Sequence, residues 1–237
     1  MIKIGVVCEG KVPPDERVPL VPIQIKQLLE LHSSLDIKVQ KSKVRRISDD
    51  EYLKQGISVV DSVEDQDILI GVKEVRKQDL IPNKTYFFFS HTIKKQPYNK
   101  ELLQAVVEKK IRLIDWECLS DTAGRRLIGF GRYAGVVGTY NAFRAFGLRN
   151  KSFELTKAHD CHGREEMESE LVKAMLPPIK ILLTGRGKVA KGSIEILEKM
   201  NIRKVGKRDF MNVSFDEPVY CQISFQDYFK RKDGGEF

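Results

Sequence analysis

Residues 179–200 read IKILLTGRGKVAKGSIEILEKM, and the reading of this stretch decides the fold. Ile179–Thr184 is a short, nearly all-apolar run, the composition expected of a strand buried on both faces of a parallel sheet. Gly185-Arg186-Gly187-Lys188-Val189-Ala190 follows at once and leads into a helical pattern through Ile194, Ile196, Leu197 and Met200. This is G-x-G-x-x-A between a strand and a helix. In that context the first glycine makes the tight turn, the second lets the backbone approach a pyrophosphate, and the helix N-terminus supplies amide donors. The spacing therefore predicts a cofactor loop at Gly185, Arg186, Gly187, Lys188 and Val189, with a glycine-rich turn that binds nothing as the competing explanation. A second predicted strand, Arg203–Val205, would end near the adenosine ribose, where an acidic residue suits NAD and a cation suits the 2′-phosphate of NADP. Lys207-Arg208-Asp209 offers both, so NAD or NADP stays open.

Upstream, Pro177-Pro178 punctuates the chain, and residues 150–176 are polar and helical, a connecting segment. Before them GFGRYAGVVGTYNAFRAFG, residues 129–147, places Gly131, Ala134, Gly135 and Gly138 three or four apart, so one helix face can approach another backbone closely. Strand candidates recur at Ile2–Cys8, Ile37–Gln40, Ser58–Val60, Ile68–Val72, Tyr86–Ser90 and Arg112–Asp115, with helix candidates between them. Ser48-Asp49-Asp50-Glu51 is a capping box, and Asn99 is expected to cap the helix whose stripe is Leu102, Leu103, Val106 and Val107. The alternation predicts an α/β fold: residues 1–149 as a substrate and catalytic domain with a largely parallel sheet, 150–176 as connector, and 177–237 as an incomplete Rossmann-type dinucleotide-binding domain. After one more strand candidate, Val219–Ser224, residues 225–237 read as a segment cut in mid-course, so the chain is expected to be truncated.

Of the 237 residues 41% are apolar and 31% charged, the composition of an ordinary globular protein. The net charge of +8 is spread along the chain in short groups such as Lys41–Arg46, which reads as solvated surface rather than a nucleic-acid track. The start, MIKIGVVCEGK, is too soon charged for a signal peptide, and no apolar run reaches the ~18 residues that would span a membrane. Four cysteines far apart, at 8, 118, 161 and 221, point to a reducing compartment, and the expectation is a cytoplasmic protein without nucleic-acid or membrane partners. His159-Asp160-Cys161-His162 lacks a second ligand pair at zinc spacing, so no metal is expected.

Three polar residues stand where chemistry is expected. Arg17 follows the first strand, Lys73 ends ILIGV, and His91 follows YFFFS. Ligands of parallel α/β sheets bind outside the carboxyl ends of strands, so the three could share a cleft. Arginine grips a carboxylate with two hydrogen bonds, and lysine and histidine can exchange protons, although such strand-end groups are more often plain surface. Arg125 and Arg126, after the turn Asp121–Gly124, are equally ambiguous on spacing alone.

These residues lie in DERVPLVP (15–22), ILIGVKEV (68–75), KTYFFFSHTIKKQ (84–96), IRLIDWE (111–117), GRRLIGFGRYAGVVG (124–138) and TGRGKVAKG (184–192). In that order they resemble the lysine-forming saccharopine dehydrogenases, or lysine–2-oxoglutarate reductases, of the superfamily of alanine dehydrogenase and the nicotinamide transhydrogenase N-terminal region. The resemblance implies a nicotinamide-dependent oxidoreductase that passes hydride to and from the imine of lysine and 2-oxoglutarate. It implies that Lys73 and His91 are the acid–base pair, that Arg17 and Arg126 hold substrate carboxylates, and that Lys94 and Glu117 line the same pocket. The partners implied are a small amino acid and a 2-oxo acid, with a homo-oligomer possible. Two other readings compete: an alanine dehydrogenase-like enzyme acting on pyruvate and ammonia, which would not need Arg126, and a truncated binding module without catalysis.

Overall fold

A computed structural model describes residues 1–236, in two compact units, Met1–Ile128 and Gly129 onward. The first unit is built on β1 (Ile2–Val6), β2 (Leu35–Gln40), β3 (Ser58–Val60), β4 (Ile68–Lys73), β5 (Thr85–Phe89) and β6 (Arg112–Asp115). All pair in parallel, in the order β3-β2-β1-β4-β5-β6. The alternation of apolar side chains decides which layer each strand serves. Leu69, Tyr86 and Phe88 pack on one face with Leu102 and Val106 of α3 (Lys100–Glu108). Val6, Ile37, Val39 and Ile70 pack on the other, with Ile25 of α1 (Pro22–Leu31) and Tyr52 of α2 (Asp49–Lys54). The predicted capping box forms, with the Glu51 backbone N–H donating to Ser48 Oγ and the Ser48 N–H to the Glu51 carboxylate. Asn99 precedes α3, but its side chain makes no cap bond and instead donates to the His91 carbonyl at 3.3 Å.

The second unit holds α4 (Gly131–Asn150), α5 (Arg164–Glu170), β7 (Lys180–Thr184), α6 (Lys188–Lys199), β8 (Arg203–Lys204), α7 (Lys207–Asn212) and β9 (Val219–Ile223). Its boundary falls at Gly129 rather than after residue 149, because α4 packs on α6. The small residues set that packing. A methyl group on Gly135 would lie 1.9 Å from the Val189 carbonyl oxygen, and one on Gly192 1.9 Å from that of Arg132. Residues 150–176 do more than connect, since Leu155, Cys161, Met167 and Leu171 are buried in the same core as Tyr140 and Ile196.

The three strands here are parallel, in the order β7-β9-β8. The expected second strand therefore lies at the edge and β9 lies beside β7. Two exposed polar residues cannot compete for the centre with the buried Val219, Tyr220 and Cys221. Lys207-Arg208-Asp209 accordingly falls in α7 and does not end the strand beside β7; Ser224 to Asp227 follow that strand, with Asp227 paired to Lys207.

The glycine contacts make a sharp expectation. Gly135→Ala should cost about 2–3 kcal/mol or more, because the clash is with backbone that cannot step aside. Gly138→Ala, in the same helix with nothing within 4 Å of the added methyl, should be neutral or stabilising by up to ~1 kcal/mol. Urea unfolding followed by circular dichroism measures both, and equal effects would refute the packing argument.

Candidate functional site

From β1 the sheet grows outward to β3, then resumes on the opposite side of β1 with β4. Reversal of strand order at this point opens a crevice beyond the carboxyl ends of β1 and β4. The loop after β1 carries Arg17, β4 ends on Lys73, His91 follows β5, and Glu117 follows β6. Four chain segments distant in sequence thus deliver their polar residues to one edge of the first unit.

Arg17 is engaged by a neighbour. Its Nε and Nη2 donate to the two carboxylate oxygens of Asp15 at 2.8 and 2.5 Å. This forked bond, helped by the nearby Lys73 charge, holds the Asp15 carboxyl below the usual carboxylate range. Glu117 gathers the remaining candidates: Oε1 lies 3.1 Å from Arg126 Nη1, and Oε2 lies 3.1 Å from Lys94 Nζ and 3.9 Å from His91 Nε2. Glu117 Oε2 is buried with no donor aligned on it, so Lys94 acts on it through charge rather than a directed hydrogen bond. Burial first, and then the Lys94 charge, push His91 below its ordinary imidazole value; Lys73 adds to the push, and Glu117 and Glu74 oppose it. The shift favours the neutral imidazole, which can accept a proton.

The backbone under these side chains is fixed by Asp115, only 8% exposed. Its Oδ2 accepts from Ser90 Oγ at 2.6 Å and from the His91 N–H at 3.0 Å, and its Oδ1 accepts from the Glu117 N–H at 2.8 Å. One carboxylate thus ties the ends of β5 and β6, and holds His91 in a left-handed conformation, φ 57°, which histidine tolerates better than most residues. Arg126 returns to Glu117 through the loop closed by the Leu127 N–H to Leu119 carbonyl bond, and its guanidinium sits over the Phe89 ring. Phe89 in turn stacks against His91.

All six candidates of the first unit, Arg17, Lys73, His91, Lys94, Glu117 and Arg126, therefore fall into two linked charge clusters at this edge. The sequence reading passed over Glu9, Asp115 and Trp116. Their signal was slight: single polar or aromatic residues next to strand ends, with no motif of their own. A cavity of about 810 Å³ also opens beyond β1 and β4, lined by Glu9, Gly10, Lys11, Val75 and Arg76 among others and by none of the six.

The glycine loop belongs to the second unit. Gly185 has φ +89°, a conformation that favours glycine, and its N–H donates to the Ile223 carbonyl at 2.8 Å. Gly187 precedes α6 without a side-chain cap, and a methyl at either glycine would meet open space. The turn thus leaves room over a helix N-terminus for an anionic group, as a pyrophosphate requires. In the tetrad at 159–162, Cys161 is buried in the core, where burial pushes its thiol up, and the described residues hold no group of three metal-ligating side chains. No described helix is long and apolar enough to cross a membrane.

The fold is of the type seen in an L-alanine dehydrogenase (TM-score 0.60, 13% identity, 93% of this chain and 60% of that one) and in the transhydrogenase of Sinorhizobium meliloti (TM-score 0.61, 14% identity, 98% and 58%). The chain belongs to the alanine dehydrogenase/PNT family, whose N-terminal domain model matches residues 5–137. It is 32% identical over 218 residues to the mitochondrial alpha-aminoadipic semialdehyde synthase of Bos taurus, covering 84% of this chain and 23% of that protein. It is 28% identical over 243 residues to the NAD(+), L-lysine-forming saccharopine dehydrogenase of Candida glabrata, covering 92% and 63%. The chain thus spans under a quarter of the animal relative and less than two thirds of the fungal one.

The charges around His91 can be tested apart from any activity. Lys94→Met should raise the His91 pKa and Glu117→Gln should lower it further, read from the imidazole proton signals in an NMR titration. A fall on removing Lys94 would contradict the arrangement.

Proposed function

We propose that this protein is an amino-acid dehydrogenase of the saccharopine type, reducing the imine of lysine and 2-oxoglutarate with NAD or NADP. The observation that carries this reading is the meeting of two arginines, a lysine and a histidine on one sheet edge. The named relatives at 28–32% identity support it. Gly185, Arg186, Gly187, Lys188 and Val189 would hold the cofactor pyrophosphate at the start of α6. When bound, the nicotinamide supplies the hydride that goes to the imine carbon.

The residues of this chain handle carboxylates and protons. Arg126 and Arg17 are the carboxylate holders, each kept in place beforehand by an acid, Glu117 and Asp15 respectively. A substrate carboxylate entering here competes with those acids for the guanidinium forks. Lysine must lose its ammonium proton before its nitrogen can add to the keto carbon, and the neutral His91 is the acceptor. The carbinolamine oxygen then leaves as water, which requires a delivered proton, and Lys73 is the donor on the same edge. Lys94 and Glu117 set the charge around His91.

Turnover of lysine, 2-oxoglutarate and NADH or NADPH, followed by loss of nicotinamide absorbance, tests the reading; turnover of pyruvate and ammonia with none of lysine would reject it. In the active protein Lys73→Met and His91→Ala should each lower kcat by about 10²–10⁴-fold. Arg126→Ala should instead raise KM by about 30–150-fold, the loss of ~2–3 kcal/mol of charge-assisted binding already made in the ground state. Unchanged KM in Arg126→Ala would remove Arg126 from substrate binding.

A further inference from the structure

The ladder between β1 and β4 ends early. Val6 pairs with Ile70 and the Val7 N–H donates to the Ile70 carbonyl at 3.0 Å, after which β1 offers β4 no further main-chain acceptor. β4 nevertheless continues for three residues, and its register against β5 slips there: Ile70 faces Phe87, but Lys73 faces Phe89, so three steps on β4 match two on β5. The extra residue makes a bulge at Gly71–Val72, and bulges re-aim the side chain that follows them.

Two side chains outside β4 hold this bulge. The Val72 N–H donates to Glu9 Oε1 at 2.6 Å and the Lys73 N–H to Glu9 Oε2 at 3.0 Å, so one carboxylate accepts from two successive amides of the bulge. From the turn just beyond β6, Trp116 Nε1 donates to the Gly71 carbonyl at 2.8 Å. Gly71 also fits closely, since an added methyl would lie 2.8 Å from Val7 Cγ2 and 3.2 Å from Glu9 Oε1. Glu9 is 8% exposed, a costly place for a carboxylate unless it is hydrogen-bonded. Burial pushes its carboxyl up, the two amides and the Arg17 charge pull it back, and Asp15 adds to the rise.

We propose that Glu9 is the positioning residue of Lys73: its carboxylate, seated on two successive strand amides, fixes the bulge that sets where the Lys73 ammonium stands at the mouth of the site. This rests on the role given above to Lys73. Glu9 reaches Lys73 through the backbone and need not meet substrate. An amide in place of the carboxylate turns an NH₂ toward one of the two N–H groups, so the isosteric Glu9→Gln change loosens the clamp without emptying the space.

The test reads Lys73 directly. Lysines are reductively ¹³C-methylated, and the Lys73 signal is assigned by its loss in Lys73→Arg. In Glu9→Gln the Lys73 methyl signal and its titration midpoint should move, while the Val72 and Lys73 amide protons lose the pH response they take from Glu9. Trp116→Phe, which leaves the carboxylate and frees only the Gly71 carbonyl, should move the same Lys73 signal by less, and serves as the variant if Glu9→Gln does not fold. Where the protein turns over, Glu9→Gln should lower kcat about 10–100-fold with KM held, the signature of a misplaced group rather than lost binding. A folded Glu9→Gln variant whose Lys73 signal, midpoint and kcat match the parent would overturn the proposal, even if its thermal stability fell. Absence of lysine-dependent turnover in the parent would reject the saccharopine reading and leave the Lys73 measurements to decide the role of Glu9.

Discussion

Where a parallel sheet stops, its last backbone donors face outward without partners, and a buried N–H left unmatched costs about as much as a lost hydrogen bond. In the first unit two carboxylates answer this constraint. Glu9 receives the donors at the end of β4, and Asp115 receives those beyond β5 and β6. Both acids are nearly inaccessible. The candidate side chains stand directly on the amides so satisfied: Lys73 on one, His91 and Glu117 on the others. The placement of these side chains thus depends on acids that are themselves buried.

A second tier of acids lies above the first. Asp15 meets Arg17, Glu117 meets Arg126 and Lys94, and Glu74 meets Lys11 at 2.7 Å. A site that gathers so many cations would otherwise repel itself, because like charges a few ångströms apart are unfavourable even at a hydrated surface. Pairing Arg17, Arg126, Lys94 and Lys11 with carboxylates offsets that repulsion at the edge.

Much of the first unit was legible in its residues. The strands at Ser58–Val60 and Arg112–Asp115 fall where apolar runs end in charge, and four others differ by one or two residues at an end. The positions of Arg17, Lys73 and His91 at strand ends were legible because the strands beside them are strongly apolar. Glu9, Asp115 and Trp116 were not found, since their work is to satisfy backbone groups whose need arises only once the sheet is assembled. The order β7-β9-β8 of the second unit was not legible for a related reason: adjacency in a sheet depends on which strands can be buried, and a two-residue strand of Arg203 and Lys204 cannot. The boundary at residue 149 followed composition, whereas packing of α4 on α6 places it at Gly129.

That helix pair bears on how the molecule can be taken apart. Gly135 and Gly192 each admit the other helix's backbone, so α4 and α6 behave as one body although some forty residues of chain separate them. A recombinant piece begun near Lys151 would keep the glycine turn yet strip Val136, Tyr140 and Phe143 from the core that α6 shares, presenting Ile196 and Leu197 to water. A piece begun just before Gly129 keeps the pair whole. Dissection of the two units is therefore a matter of respecting a helix that composition assigns to one side and geometry to the other.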